Sequence, residues 1–179
     1  ALAILGVIAT FTIPKILDSG SDSKFNSIGK EAAAMLSGAY QNYKLQNSVS
    51  ACTTVGNFTP YMNYVRVNTT ALLDNVQTFT SVTCYGVYEC FELHNGAMVH
   101  FRTTNTFTAT DPTMAIWFAI DPDGKYSGST TGPGKSVFFW LYTTGRLRTW
   151  GTVEPGTFYD GGAVTPEPTY DPPYFSWGS

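Results

Sequence analysis

The chain has 179 residues, enough for one domain with a sizeable core, and its composition is 43% hydrophobic, 15% aromatic and only 13% charged. So low a charged fraction implies a neutral, Thr-rich surface. A net charge of −3 and the lack of any Lys/Arg cluster exclude a basic nucleic-acid-binding face.

The first seventeen residues, ALAILGVIATFTIPKIL, carry Lys15 as their only ionisable side chain. Such a run does not lie exposed on a soluble domain; it enters a bilayer, a partner chain or a packed assembly. The polar DSGSDSK that follows, made of poor helix formers, marks a loop or a weak point in a longer helix. From Phe25 the apolar positions Phe25, Ile28, Ala32, Met35, Leu36, Ala39 and Tyr43 recur at steps of three and four. They form one helical face that packs on a sheet, with Lys24, Lys30, Glu31, Gln41 and Lys44 elsewhere.

Beyond Asn47, Gly, Asn, Thr and Pro cut the chain into short β-rich runs. Candidate strands are Tyr61–Val67, Cys90–Leu93, Ala97–Phe101, Met114–Ile120, Val137–Tyr142 and Arg146–Trp150. His94-Asn95-Gly96 predicts a tight hairpin in which Asn and Gly both tolerate positive φ, and Thr144-Gly145 predicts a second. Short connections imply antiparallel pairing. The segment 151–179 is rich in Pro, Gly and aromatics and is expected to wrap the surface, anchored by Tyr170, Tyr174, Phe175 and Trp177. The fold class is therefore α+β. A long N-terminal helix, apolar in its first half and amphipathic in its second, packs on an antiparallel sheet and an irregular tail follows. The expected division is an apolar segment with its polar break at 1–24 and a globular α+β domain at 25–179. Within that domain lie a helix at 25–46, a β-rich region at 47–150 and a tail at 151–179.

The cysteines Cys52, Cys84 and Cys90 form no C-x-x-C pair, which argues against a zinc or redox motif. Outside the cytoplasm one disulfide is expected. Cys84 with Cys90, which enclose YGVYE, is the candidate by proximity; Cys52 with either of the others is the competing pairing.

Motifs that would carry chemistry are incomplete. TTGPGKS at 130–136 lacks the first glycine of a phosphate-binding loop, since Ser129 stands there, and VFFWLY after it reads as a strand where that loop needs a helix. DPDGK at 121–125 resembles part of a calcium loop, but Gly124 interrupts it and the later glutamate is missing. Asp121 and Asp123 are weak metal candidates, and a tight turn is the simpler reading. His94 and His100 have no nucleophile motif beside them and are expected as half-exposed hairpin residues. Glu89 and Glu92 are too close in sequence for an acid/base pair. No catalytic residue and no cofactor is expected. Asn57-Phe58-Thr59 and Asn68-Thr69-Thr70 match the N-glycosylation pattern, which is also common by chance.

The residues ILGVIATFTIPKI at 4–16 resemble the N-terminal segment of type IV pilins and type II secretion pseudopilins. That family has an apolar run with a mid-run Gly and a Pro about two helical turns later, matched by Gly6 and Pro14. The remainder resembles the family in outline, including the hairpins and the D-x-D-G turn before a final pair of strands. Family members begin with an aromatic residue and carry an early glutamate, and this chain has neither. Aligning Gly6 and Pro14 implies about eight residues before Ala1, which would lengthen the apolar run to about twenty-five, enough to span a bilayer.

The resemblance implies a subunit anchored in the inner membrane and handled there by the pilus assembly machinery. It would then join identical subunits in a helical homopolymer at the cell surface. Ala1, Ala3, Ile4, Gly6, Val7, Ala9, Thr10, Ile13 and Pro14 would pack the filament core, the small residues among them permitting close helix approach. The stretch from Gly6 to Pro14 is where that helix could unwind. A minor pilin or a secretion pseudopilin is the alternative within the family. A membrane-tethered binding domain that uses the aromatic tail is the alternative of another class.

Overall fold

The structure, a computed structural model, describes residues 2–49, 54–70, 72–73, 82–86, 88–102, 105–107, 110–124, 135–159, 162–168 and 171–177. The side chains of 2–21, 72–73 and 82–83 are not among the described features.

One helix, α1, runs Leu2–Asn47. Its backbone stays helical through the polar stretch at 18–24. Just beyond that stretch, Ser27 turns its hydroxyl back onto the Ser23 carbonyl at 3.0 Å, a local bond a helix accommodates. The helix ends where Ser48 takes a positive φ of 53° and the Val49 N–H reaches back to the Lys44 carbonyl at 3.1 Å. That 6→1 bond satisfies one of the last carbonyls, in the geometry usually given to glycine. Lys44 sits in the last turn, where a cation suits the helix dipole.

The strands are β1 Tyr64–Asn68, β2 Leu72–Leu73, β3 Val82–Thr83, β4 Tyr88–Leu93, β5 Met98–Arg102, β6 Ala115–Asp121, β7 Val137–Tyr142, β8 Leu147–Thr149, β9 Phe158–Tyr159 and β10 Gly162–Ala163. Six of them form one sheet in the order β1-β4-β5-β6-β7-β8, with every neighbouring pair antiparallel. β2 with β3, and β9 with β10, form two separate ladders of two residues each. The architecture is α+β, an N-terminal helix packed on a six-stranded antiparallel sheet. The run expected as a strand from Tyr61 starts later, because Pro60 opens a 3-10 turn over Thr59–Tyr61.

The two tight hairpins share one construction. Between β4 and β5 the Gly96 N–H bonds to the Leu93 carbonyl and the Leu93 N–H to the Ala97 carbonyl, at 3.0 and 2.9 Å. Between β7 and β8, Gly145 bonds to Tyr142 and Tyr142 to Arg146, at 2.8 and 2.9 Å. Gly96 and Gly145 have φ of +88° and +85°, while Asn95 has no positive φ. Each is a three-residue loop closed by a glycine bulge, not the two-residue turn with Asn and Gly both left-handed.

Residues alternate sharply between the sheet faces. Phe91, Val99, Phe101, Phe118, Phe139 and Leu141 point toward α1 and join its buried residues in the main core. The other face also closes over. Ala115, Trp140 and Tyr142 pack with Val153, Trp150, Tyr159 and Val164 from beyond β8. At the other end of that face Cys84 and Cys90 form a disulfide, with Cα atoms 5.4 Å apart, packed against Met98. Cys52 lies outside the described residues.

Candidate functional site

The C-terminal half of α1 is seated on the sheet by both apolar and polar contacts. The seat begins with a stripe of small and aromatic residues. Ala32, Ala33, Leu36, Ala39 and Tyr40 are each 2% exposed or less, and Gly29 is buried with them. Phe25, Ile28, Met35 and Tyr43 of the sequence-derived stripe lie on its flanks, half-buried. The centre of the buried face is thus displaced toward Gly29, Ala33 and Tyr40. Small side chains let the backbone of α1 come close to the sheet, and a Cβ on Gly29 would sit 3.1 Å from the Phe175 ring. Tyr40 fills the space left over, between Phe58 at 5.4 Å and Phe107 at 5.2 Å.

Polar groups then fix the helix along its axis. Four side chains of α1 donate into the carbonyls of the β7–β8 turn. Ser37 Oγ bonds to Gly145 O at 2.5 Å, Tyr40 Oη to Thr143 O at 2.9 Å, Gln41 Nε2 to Thr144 O at 2.8 Å and Lys44 Nζ to Thr143 O at 2.9 Å. The positions 37, 40, 41 and 44 follow the three-and-four spacing that aligns side chains on one helix face. Glycine suits position 145 on two counts: its φ is left-handed, and a Cβ there would have to displace the Gln41 amide. The Lys44 ammonium also lies 4.7 Å above the Tyr40 ring, and burial holds its pKa below the usual lysine value. The β4–β5 turn touches the same helix, with Asn95 Nδ2 donating to the Glu31 carboxylate at 3.2 Å.

The C-terminal segment holds the other end of the seated stretch. Tyr174 packs edge-on against Phe25 at 6.2 Å, and its hydroxyl donates to the Lys135 carbonyl. Phe175 meets Phe139 at 5.3 Å, and the Ser176 N–H donates to Asn26 Oδ1 at 3.2 Å. Lys135 Nζ lies 4.3 Å over the Phe25 ring and 3.1 Å from Asp123. Tyr170, the other tail anchor expected from the sequence, lies outside the described residues. Between the tail and the β7–β8 turn runs a shallow groove of about 400 Å³ lined by Ala34, Ser37, Gly145, Arg148 and Trp177.

The remaining sequence candidates fall as follows. Asp121 is fully buried at the end of β6, where its Oδ1 accepts the Asp123 N–H at 3.3 Å and its carbonyl accepts the Gly124 N–H at 3.3 Å. This is a tight turn with a left-handed glycine, and Asp123 pairs with Lys135. Among the described residues no three His, Cys, Asp or Glu side chains converge as a metal site. Lys135 and Ser136 lead directly into β7, so the run after them is a strand; 125–134 lie outside the described residues. His94 is exposed in its turn, whereas His100, expected half-exposed, is 0% exposed. His100 stacks on Tyr88 at 5.0 Å and faces Trp117 at 5.8 Å, and burial pushes its pKa down to about 4.

The side chains of Ala1, Ala3, Ile4, Gly6, Val7, Ala9, Thr10, Ile13 and Pro14 lie outside the described residues. Among the described residues no helix is long and apolar enough to cross a membrane. The seat that the sequence did not reveal rests on Gly29, Ala33, Ser37, Tyr40 and Gln41. The only signal for the polar donors was their spacing, which coincides with the apolar stripe beside them. No family model, curated protein or solved structure matches this chain.

Proposed function

We propose that this chain is the structural subunit of a bacterial type IV pilus-like filament, polymerising through the apolar half of its N-terminal helix with the β domain outside. The observation that carries the reading is the run ILGVIATFTIPKI, with Gly6 and Pro14 at the family's spacing, leading without a break in the helix into the half seated on the sheet. An amphipathic half held by two hairpin turns and a C-terminal segment gives the apolar half a firm base. In this reading the long helix has two tasks. The apolar half exchanges lipid for the same segment of neighbouring subunits, so that little apolar surface meets water in either state. The amphipathic half carries the domain. A subunit of this kind needs no catalytic group and no cofactor. A minor pilin or secretion pseudopilin fits the same features.

The reading of another class, a membrane-tethered binding domain, has one observation in its favour. The groove beside Arg148 and Trp177 offers a cation and a partly exposed indole to a ligand.

Electron microscopy of sheared cell surfaces, with the chain identified in the filaments, separates the two. Gly6→Leu is expected to abolish filaments by blocking close helix approach, while the β domain keeps its thermal stability. A normal filament yield from Gly6→Leu, or a protein that stays monomeric in membranes, overturns the filament reading.

A further inference from the structure

The two Asn-x-Thr tripeptides occupy contrasting places. At Asn57-Phe58-Thr59 the asparagine ends a 3-10 turn, Phe58 is 0% exposed and Thr59 only 8% exposed. The Thr59 hydroxyl is engaged inside the turn, donating to the Gly56 carbonyl at 3.2 Å. Asn68-Thr69-Thr70 closes β1, an edge strand of the sheet, and both threonines are exposed. There the Asn68 Oδ1 accepts the Thr70 N–H at 3.0 Å and faces its hydroxyl at 3.4 Å. The tripeptide is thus already folded back, with amide and hydroxyl side by side at the end of a strand. The Asn68 Nδ2 donates to Glu92 Oε1 at 3.0 Å, and Arg66 grips the same carboxylate at both oxygens, at 2.6 and 3.0 Å. With Arg66 to hold the Glu92 carboxylate, the Asn68 amide can leave it without stranding a charge.

We propose that Asn68, and not Asn57, is an acceptor for an N-linked oligosaccharide on the folded chain. The donor is an oligosaccharide carried on a polyprenyl pyrophosphate, and the catalyst is an oligosaccharyltransferase. The Asn68 Nδ2 bonds to the anomeric carbon of the sugar. The anomeric C–O bond breaks, its electron pair leaves with the pyrophosphate, and Nδ2 gives one proton to a base of the transferase. Nothing is oxidised or reduced. The transferase replaces Glu92 as the carboxylate facing Nδ2 and engages the hydroxyl of exposed Thr70, whereas Thr59 is buried. The neighbouring disulfide supports the compartment. Asn68 pairs in register with Cys90, and a chain with a Cys84–Cys90 bond matures in the oxidising space where such transfer occurs. The proposal needs the chain to leave the cytoplasm but does not need it to polymerise.

The folded, disulfide-intact chain is incubated with a purified single-subunit oligosaccharyltransferase and a polyprenyl-pyrophosphate oligosaccharide, then examined by intact mass and peptide mapping. One glycan at Asn68 and none at Asn57 is expected. Thr70→Ala, an exposed change that leaves the thermal unfolding unaltered, is expected to lose it, and Thr70→Ser to keep it. An unmodified Asn68, occupancy of Asn57 in the folded chain, or a glycan that survives Thr70→Ala overturns the proposal. Filament yield is not part of this readout, so its outcome is separate from that of the filament reading.

Discussion

On the helix side of the sheet, Phe101, Phe118 and Phe139 line up with ring centroids 5.5 and 5.4 Å apart and join the buried apolar residues of α1 and its neighbours. On the opposite side, also largely covered, His100, Trp140, Tyr142 and Asp121 are buried beside a half-buried Trp117 and the disulfide. Part of that polar content is satisfied. The Tyr142 hydroxyl lies 2.7 Å from Thr157 Oγ1 and accepts the Glu154 N–H at 3.0 Å. Part is not: both ring nitrogens of His100, Trp140 Nε1 and Arg102 Nε are buried without a hydrogen bond among the described residues. One face is therefore an apolar seam that asks only for volume. The other holds polar atoms in a low-dielectric layer, where each unmet bond is costly and each charge more so. Two covered faces of one sheet respond to different perturbations.

Truncating the apolar face has the largest expected effect. Phe139→Ala empties space at the centre of the seam and is expected to cost about 3–5 kcal/mol, read as a fall in the urea midpoint at unchanged m-value. A loss under about 1 kcal/mol would mean that the helix settles into the gap and that the seam is softer than its packing implies.

The opposite face is best probed with acid. His100 has a folded pKa lowered from 6.5 to about 4 by burial, so the unfolded chain binds the proton first as pH falls. Stability is unaffected by this group above about pH 6.5 and falls between there and about pH 4, the loss reaching roughly 3 kcal/mol at the acid end. His100→Phe keeps the ring stack with Tyr88 and is expected to flatten the pH dependence in that window. An unchanged acid slope in the variant would assign the sensitivity to other groups.

The smallest expected effect compares the two hairpin turns. Gly96→Ala and Gly145→Ala each force a left-handed alanine, at about 1–2 kcal/mol. A Cβ on Gly96 meets nothing within 4 Å, whereas one on Gly145 displaces Gln41. Gly145→Ala is expected to lower the melting temperature further, and equal losses would show that the Gln41 contact adds nothing.

The contrast between the faces also marks where sequence reading succeeds. The run VFFWLY could be assigned to a strand because it is short and bounded by Lys135-Ser136 and Thr143-Thr144-Gly145. All six of its residues are buried, so the absence of alternation was itself the sign of a sheet covered on both sides. The burial of His100 was not legible, since what lies over a sheet face is decided by segments remote in sequence. The two-residue strands β2, β3, β9 and β10 are too short to display any period. In the helix, Gly29 and Ala33 carry too little apolar character to show as core, and Tyr40 carries a hydroxyl. Ser37 and Gln41 read as solvent-facing, because their acceptors are carbonyls that exist only once the hairpin has formed.

Those acceptors give the seat a mechanical property. An apolar stripe resists separation but lets a helix slide, since one set of methyl groups can follow another with little loss. The four bonds into the β7–β8 turn do not allow this, because a shift along the axis breaks all of them. They are anchored in three consecutive residues, so a pull on the helix loads them together and not one after another. The hairpin thus works as a clamp, passing tension from the helix straight into β7, the strand beside the edge of the sheet.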